Sequence, residues 1–217
     1  MRRARRIVVA ALLCGGVVGV PASAQAQQTT ATGAGSVGAV DITVDAAPAH
    51  ADPLATCVVD RTPSGHTDPV TVGGKTSYGS SDTTCTRNTD GTASVKVTGQ
   101  RFETSVLQPY GGPVIKAGTF GAGCTTTAKG SNGYMELGAV TGITVPESIP
   151  ANHTITIPGA TPDAPPIAEV VLNELVVPSP ADGSLTTNAM HIKLFPQGGP
   201  ASGDILVGSA RCSPFGL

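Results

Sequence analysis

The feature that most restricts this chain is a period-two alternation close to its C-terminus. Within residues 185–195, Asn188, Met190, Ile192 and Leu194 fall on one side of an extended strand, and Thr187, His191 and Lys193 fall on the other. Only a β-strand sends successive side chains to opposite faces, so this run predicts a strand with one buried face. A Gly/Pro loop over 196–203 follows, and residues 204–212 return as a second strand, so the two predict a hairpin that closes the domain. The same period opens the chain's folded part, with Val40, Ile42 and Val44 on one face and Asp41, Thr43 and Asp45 on the other.

Between these ends the alternation is weaker. Residues 46–53 read as a break, 55–60 as a resumed strand around Cys57, and 61–92 as a polar, turn-rich stretch. Asp90-Gly91 in that stretch reads as a hairpin turn, because the pair tolerates positive φ. Residues 93–98 predict a strand with 101–107 as its partner. Residues 114–120 and 134–140 predict two more, joined through 121–124. His153–Ile157 alternates again, 158–166 is a proline-rich crossing loop, and 167–177 is apolar on both faces apart from Glu169, Asn173 and Glu174. The β-branched content and flanking prolines of 167–177 favour a central strand over a helix. With 28 Gly, 18 Pro, no Trp and 3% aromatic residues, the chain predicts an all-β fold, an antiparallel sandwich of roughly 9–11 short strands. Its core must be built from Val, Ile, Leu and Ala, each larger one contributing roughly 1.5–3 kcal/mol when buried.

Arg2, Arg3, Arg5 and Arg6, the apolar run 7–20 and the small residues Ala22-Ser23-Ala24 form a secretory signal peptide over 1–26. Cleavage is expected after Ala24 or Ala26, and Arg5-Arg6 admits twin-arginine export as well as the general route. Cys14 follows Leu13, where lipid attachment requires a small residue. A leader over 27–35, one sandwich domain over 36–212 and a short tail over 213–217 complete the expected organisation. No later run is long enough to span a membrane, and no sorting tail follows Cys212, so release into the medium is expected.

Export places Cys57, Cys85, Cys124 and Cys212 in an oxidising compartment. Four cysteines allow three pairings, which sequence alone does not separate. Locality favours Cys57–Cys85, leaving Cys124–Cys212. Their spacing is unlike the paired knuckles of a zinc site. The chain holds thirteen Lys and Arg against fifteen Asp and Glu. Loss of the four N-terminal arginines leaves nine against fifteen, a net charge of −6, which disfavours nucleic acid and anionic membranes as partners.

Three stretches carry a family likeness: Val171-Leu172-Asn173-Glu174-Leu175-Val176, Leu185-Thr186-Thr187-Asn188-Ala189-Met190-His191-Ile192 and Gly203-Asp204-Ile205-Leu206-Val207-Gly208-Ser209-Ala210-Arg211-Cys212. Together they resemble the choice-of-anchor P family of secreted proteins from high-GC Gram-positive bacteria, mainly over residues 142–212. The resemblance implies a secreted or surface β-protein and supplies no catalytic residues. Some members carry a C-terminal anchor; none is expected here, which favours release over surface attachment.

No G-x-S-x-G elbow or H-E-x-x-H helix is present. Ser64, His66 and Asp68 form the nearest local triad-like cluster, but near neighbours on a loop rarely satisfy triad geometry. His191 is a candidate ligand or switch residue, read first as a half-exposed strand histidine. Asn188 falls on the apolar side, where backbone groups should satisfy it, with a Lys–Asn crosslink as the sharper alternative. Asn88-x-Asp90-Gly91 lacks the acidic positions of a calcium loop and reads as a turn. Phe215 is an exposed aromatic in the tail, able to dock or fray.

No catalytic, cofactor-binding or metal residue is assigned, and no cofactor is expected. The expected role is non-enzymatic, structural or interacting, toward an extracellular protein or cell-envelope component. A carbohydrate- or peptide-binding module is the alternative; a pocket lined by Tyr78, Tyr110 and Tyr134 would favour it. A secreted hydrolase would require His66, His153 or His191 in a cleft beside a carboxylate.

Overall fold

Two antiparallel sheets enclose a core of small aliphatic side chains in the computed structural model, which describes residues 30–215. The chain begins in the first sheet with β1 (Thr32–Val44), β2 (Ala47–Leu54) and β3 (Cys57–Val58). It then builds the second sheet from β4 (Ser64–Thr67), β5 (Val70–Val72), β6 (Thr76–Tyr78), β7 (Ser81–Arg87), β8 (Ala93–Thr104), β9 (Ile115–Thr126) and β10 (Ser131–Thr141). It returns to the first with β11 (His153–Ile157), β12 (Ala168–Val176), β13 (Leu185–Leu194) and β14 (Ala201–Ser213). The first sheet runs β11-β12-β13-β14-β1-β2, with β3 beside the start of β1. In the second, β10-β9-β8 form a meander, and β7 and β6 pair successive parts of β8.

The all-β sandwich expected from the alternation is the fold. Fourteen strands replace the nine to eleven expected, because the polar stretch after Cys57 folds into four short strands. Their inward positions are Val72, Thr76, Tyr78, Ser81, Thr83 and Cys85, all buried. Residues 47–54 also form a strand rather than a break. Asp45 and Ala46 take positive φ, +49° and +62°, as a two-residue hairpin turn requires. Pro48 and Pro53 are tolerated because β2 is an edge strand. Thr32–Gly35, placed in the leader by composition, belong to β1 and pair with β14. Ser213, assigned to the tail, ends β14. The signal peptide and its cleavage sites at Ala24 and Ala26 lie outside the described residues.

Both disulfides form as expected, Cys57–Cys85 and Cys124–Cys212. Each joins one sheet to the other. In the second sheet Cys85, Val95 and Cys124 are direct neighbours in one row, so both crosslinks sit at the same end. The bonds mark a chain that matures in an oxidising, non-cytoplasmic environment. Tyr78 ties the sheets farther along. Its buried hydroxyl donates to the Leu206 carbonyl at 2.7 Å, and its ring packs over Gly38, where a Cβ would approach the ring to 2.5 Å. No helix among the described residues is long and apolar enough to cross a membrane.

A shift of alternation runs across each sheet. In the first, Asn173, Ala189, Gly208 and Val37 lie in one line across β12, β13, β14 and β1. Asn173 and Gly208 are left-handed, with φ of +51° and +61°. At this line consecutive residues are buried in each of three strands: Val37 and Gly38 on β1, Thr187 through Met190 on β13, and Val207 and Gly208 on β14. The pairing register is kept, but the inward set moves by one residue. The second sheet has the same shift along Arg101, Gly118 and Ala139, with Arg101 and Ala139 left-handed. This is why residues 93–104 form one strand instead of the hairpin that broken alternation suggests. Likewise, 121–124 continue β9 instead of connecting two strands.

Candidate functional site

The shift of alternation assembles a charged group on the outer face of the first sheet. His191 and Lys193 point outward from β13, with Asp204 paired opposite Lys193 on β14. On β12, Asn173 turns the following residue over, so Glu174 joins this face although Val170 and Leu172 two and four residues earlier are buried in the core. Asn188, opposite Glu174, turns outward in the same way. The sequence placed Asn188 with Met190 and Thr187 with His191. The structure reverses both, since Thr187 is fully buried against the second sheet beside Gly133.

His191 Nδ1 lies 2.9 Å from Glu174 Oε2, and its Nε2 lies 2.8 Å from Asp204 Oδ1. An ionised carboxylate can only accept, so this arrangement favours the doubly protonated ring, in which both nitrogens donate. Asn188 Nδ2 donates to Glu174 Oε2 at 2.6 Å, and Lys193 Nζ stands 3.9 Å from Oε1. The side chains of His191 and Glu174 are 16% and 11% exposed, against 55% for Asp204. Burial alone would lower the pKa of His191, but the hydrogen bonds and charges of Glu174 and Asp204 raise it above its ordinary value. For Glu174 burial acts upward, and hydrogen bonds from His191 and Asn188 overcome it, holding the carboxyl below its ordinary value. The result is a charge-assisted brace across β12, β13 and β14.

Two more histidines repeat the pattern in the open. His50 has Asp52 at 3.1 Å from Nε2 and Asp41 at 3.5 Å from Nδ1. His66 has Asp82 at 2.7 Å from Nδ1 and Asp68 at 3.7 Å from Nε2. Hydrogen bonding to Asp52 and to Asp82, respectively, raises each above the ordinary histidine value. The carboxylates required of a hydrolase site are therefore beside His66 and His191, but on both sides of each ring. Ser64 lies on β4 opposite Thr84, and among the described residues it makes no hydrogen bond to His66. His153 opens β11 and is not drawn into either group.

The other sequence candidates separate. Lys193 and Asn188 both reach the Glu174 carboxylate, at 3.9 and 2.6 Å, and no Lys–Asn bond joins them. Asp90 accepts from both the amide and the hydroxyl of Thr92 and caps its own hairpin turn. Tyr78 is buried in the core, Tyr110 packs edge-on against Phe195 with its hydroxyl on Asp45, and Tyr134 is exposed on the second sheet. No pocket gathers the three. Phe215 is half exposed beside the Thr126–Ala128 turn.

The outer face of the second sheet is polar in a different way. Asp82, Thr98, Gly121 and Glu136 stand in one row across β7, β8, β9 and β10, with Gln100 and Thr119 in an adjacent row. They surround a depression of about 360 Å³. Both faces are assembled from strands consecutive in the chain, and what sequence reasoning missed was the pairing register and the shift of phase that bring these side chains together. Beside His191, Glu174 carried a signal, as a carboxylate in an apolar run that must find a partner. No protein-family model, curated protein or solved structure matches this chain.

Proposed function

We propose that the protein is a secreted, non-catalytic extracellular domain whose job is structural or interactive. The observation that carries this reading is the capping of His191 by carboxylates at both ring nitrogens. A general base needs one nitrogen lone pair free to face its proton donor. Both nitrogens of His191 are bonded to carboxylates, and in His66 and His50 one nitrogen is bonded while a second carboxylate stands 3.7 and 3.5 Å from the other, which suits bracing of strands. The inter-sheet disulfides support the extracellular part of the proposal. So does the likeness of residues 142–212 to the choice-of-anchor P family, whose implied role is a secreted or surface β-protein.

Purified protein assayed against ester, peptide and glycoside substrates tests the proposal. No turnover above buffer is expected. Turnover abolished by His66→Asn or His191→Asn would overturn it. Secretion is tested by expressing the full chain in an actinobacterial host, with mature protein expected in the medium and an N-terminus at Gln25 or Gln27. A ligand-binding module is the second reading, favoured by the polar depression on the second sheet.

A further inference from the structure

The two outer faces differ in how far their polar groups satisfy one another. On the first sheet, Glu174, His191 and Asp204 bond to each other, as His50 does to Asp52. Around the depression on the second sheet, only Asp82 is engaged, by His66. The hydroxyls of Thr98 and Thr119, the amide of Gln100 and the carboxylate of Glu136 have no hydrogen-bond partner among the described residues. These are the donor and acceptor types that read hydroxyl groups, and they converge on one concavity.

Beside the depression the sheet is shaped for a flat partner. Gly121 and Gly123 leave the middle of β9 without side chains, and Tyr134 from the neighbouring strand lies over Gly123. A Cβ on Gly123 would collide with that ring, so the glycine lets the tyrosine lie against the sheet with its other face 44% exposed overall. An aromatic face beside hydrogen-bonding groups suits the apolar C–H face and hydroxyl rim of a pyranose. From Asp82 on β7 to Glu136 on β10 there are three strand spacings, about 14 Å, room for a short oligosaccharide and too wide for both carboxylates to share one cation. Lys96 and Arg101 in the adjoining rows balance Asp82 and Glu136, so this part of the face has no excess charge to select an ionic ligand.

We infer that this face binds a neutral glycan chain laid across β7–β10, with Tyr134 as the stacking platform and Glu136, Gln100 and Thr119 as hydroxyl-reading groups. This rests on the interaction reading above and names the chemistry of the partner. Titration calorimetry with cellohexaose, mannohexaose and chitohexaose, each to millimolar concentration, tests it. At least one is expected to bind, with Tyr134→Ala and Glu136→Gln each weakening it about five- to tenfold at unchanged melting temperature. His50→Ala, on the opposite face, is expected to leave affinity unchanged. Absence of binding to all three, or binding indifferent to both face variants, would overturn the site. New reducing ends in the bound sample would defeat the non-catalytic reading and leave the site standing, so the two failures are distinguishable.

Discussion

Replacing His191 by alanine is expected to cost the fold about 3 kcal/mol near pH 6. The buried bond to Glu174 is charge-assisted and contributes roughly 1.5–3 kcal/mol; the bond to half-exposed Asp204 contributes less than about 1 kcal/mol. Truncation also leaves Glu174 charged and largely buried, with only the Asn188 amide close by and Lys193 at 3.9 Å. Loss of one partner of a buried pair costs roughly 3–5 kcal/mol, and the open Asp204 side places this one at the low end. The pH dependence follows from both shifts. The pKa of His191 is raised from 6.5 on folding, so its contribution is complete below 6.5 and is lost as pH rises through the folded value. The pKa of Glu174 is lowered from 4.5, so its contribution is complete above 4.5 and is lost as pH falls through the folded value. The brace is therefore strongest between pH 4.5 and 6.5. The chain has no tryptophan, so urea unfolding is best followed by circular dichroism, near pH 6 and again near pH 9. The gap between wild type and His191→Ala should narrow at the higher pH, and Glu174→Gln/His191→Ala should recover part of the loss. A gap under about 0.5 kcal/mol near pH 6, or one that does not change with pH, would refute the reasoning.

Removing Cys124–Cys212, which spans 88 residues, should destabilise by about 4.5 kcal/mol, against about 3.5 for Cys57–Cys85, which spans 28; urea midpoints of the paired Cys→Ala variants give the order. Gly38→Ala drives a Cβ to 2.5 Å from both the Tyr78 ring and the Leu206 carbonyl. A loss of about 2 kcal/mol is expected, checked by thermal unfolding. Ala139→Gly removes a left-handed alanine, φ +51°, from exposed β10 and should raise stability by about 0.5–1 kcal/mol; an unchanged melting temperature would count against strain at that line.

Alternation was legible wherever one strand kept one phase. Val40, Ile42 and Val44 are buried as their spacing requires, and so are Met190, Ile192 and Leu194. It failed where the phase moved. Arg101 and Ala139 adopt left-handed backbone without being residues that favour it, and Asn173 and Gly208, which do favour it, sit inside apolar strand runs where either could equally stay extended; Asn188 and Thr187 were therefore assigned to each other's faces. The strands after Cys57 were hidden because Thr76, Ser81 and Thr83 face inward with their hydroxyls bonded locally: Thr76 to Thr104, Ser81 to the Gly79 carbonyl and Thr83 to the Ala55 carbonyl. Of the brace, His191 stood out as a candidate, but its partners come from β12 and β14 and only the sheet order brings them together.

Cys57–Cys85 and Cys124–Cys212 flank Val95 at one end of the sandwich, while Tyr110 and Phe195 meet at the other. The molecule is thus bound like a book, with a covalent spine and a fore-edge held by packing and the Tyr110–Asp45 hydrogen bond. Partial opening should begin at the fore-edge and stop at the spine. Amides around Phe195 and Ile115 should exchange with solvent well before those of Val95 and Cys124, and reduction of both bonds should erase that difference.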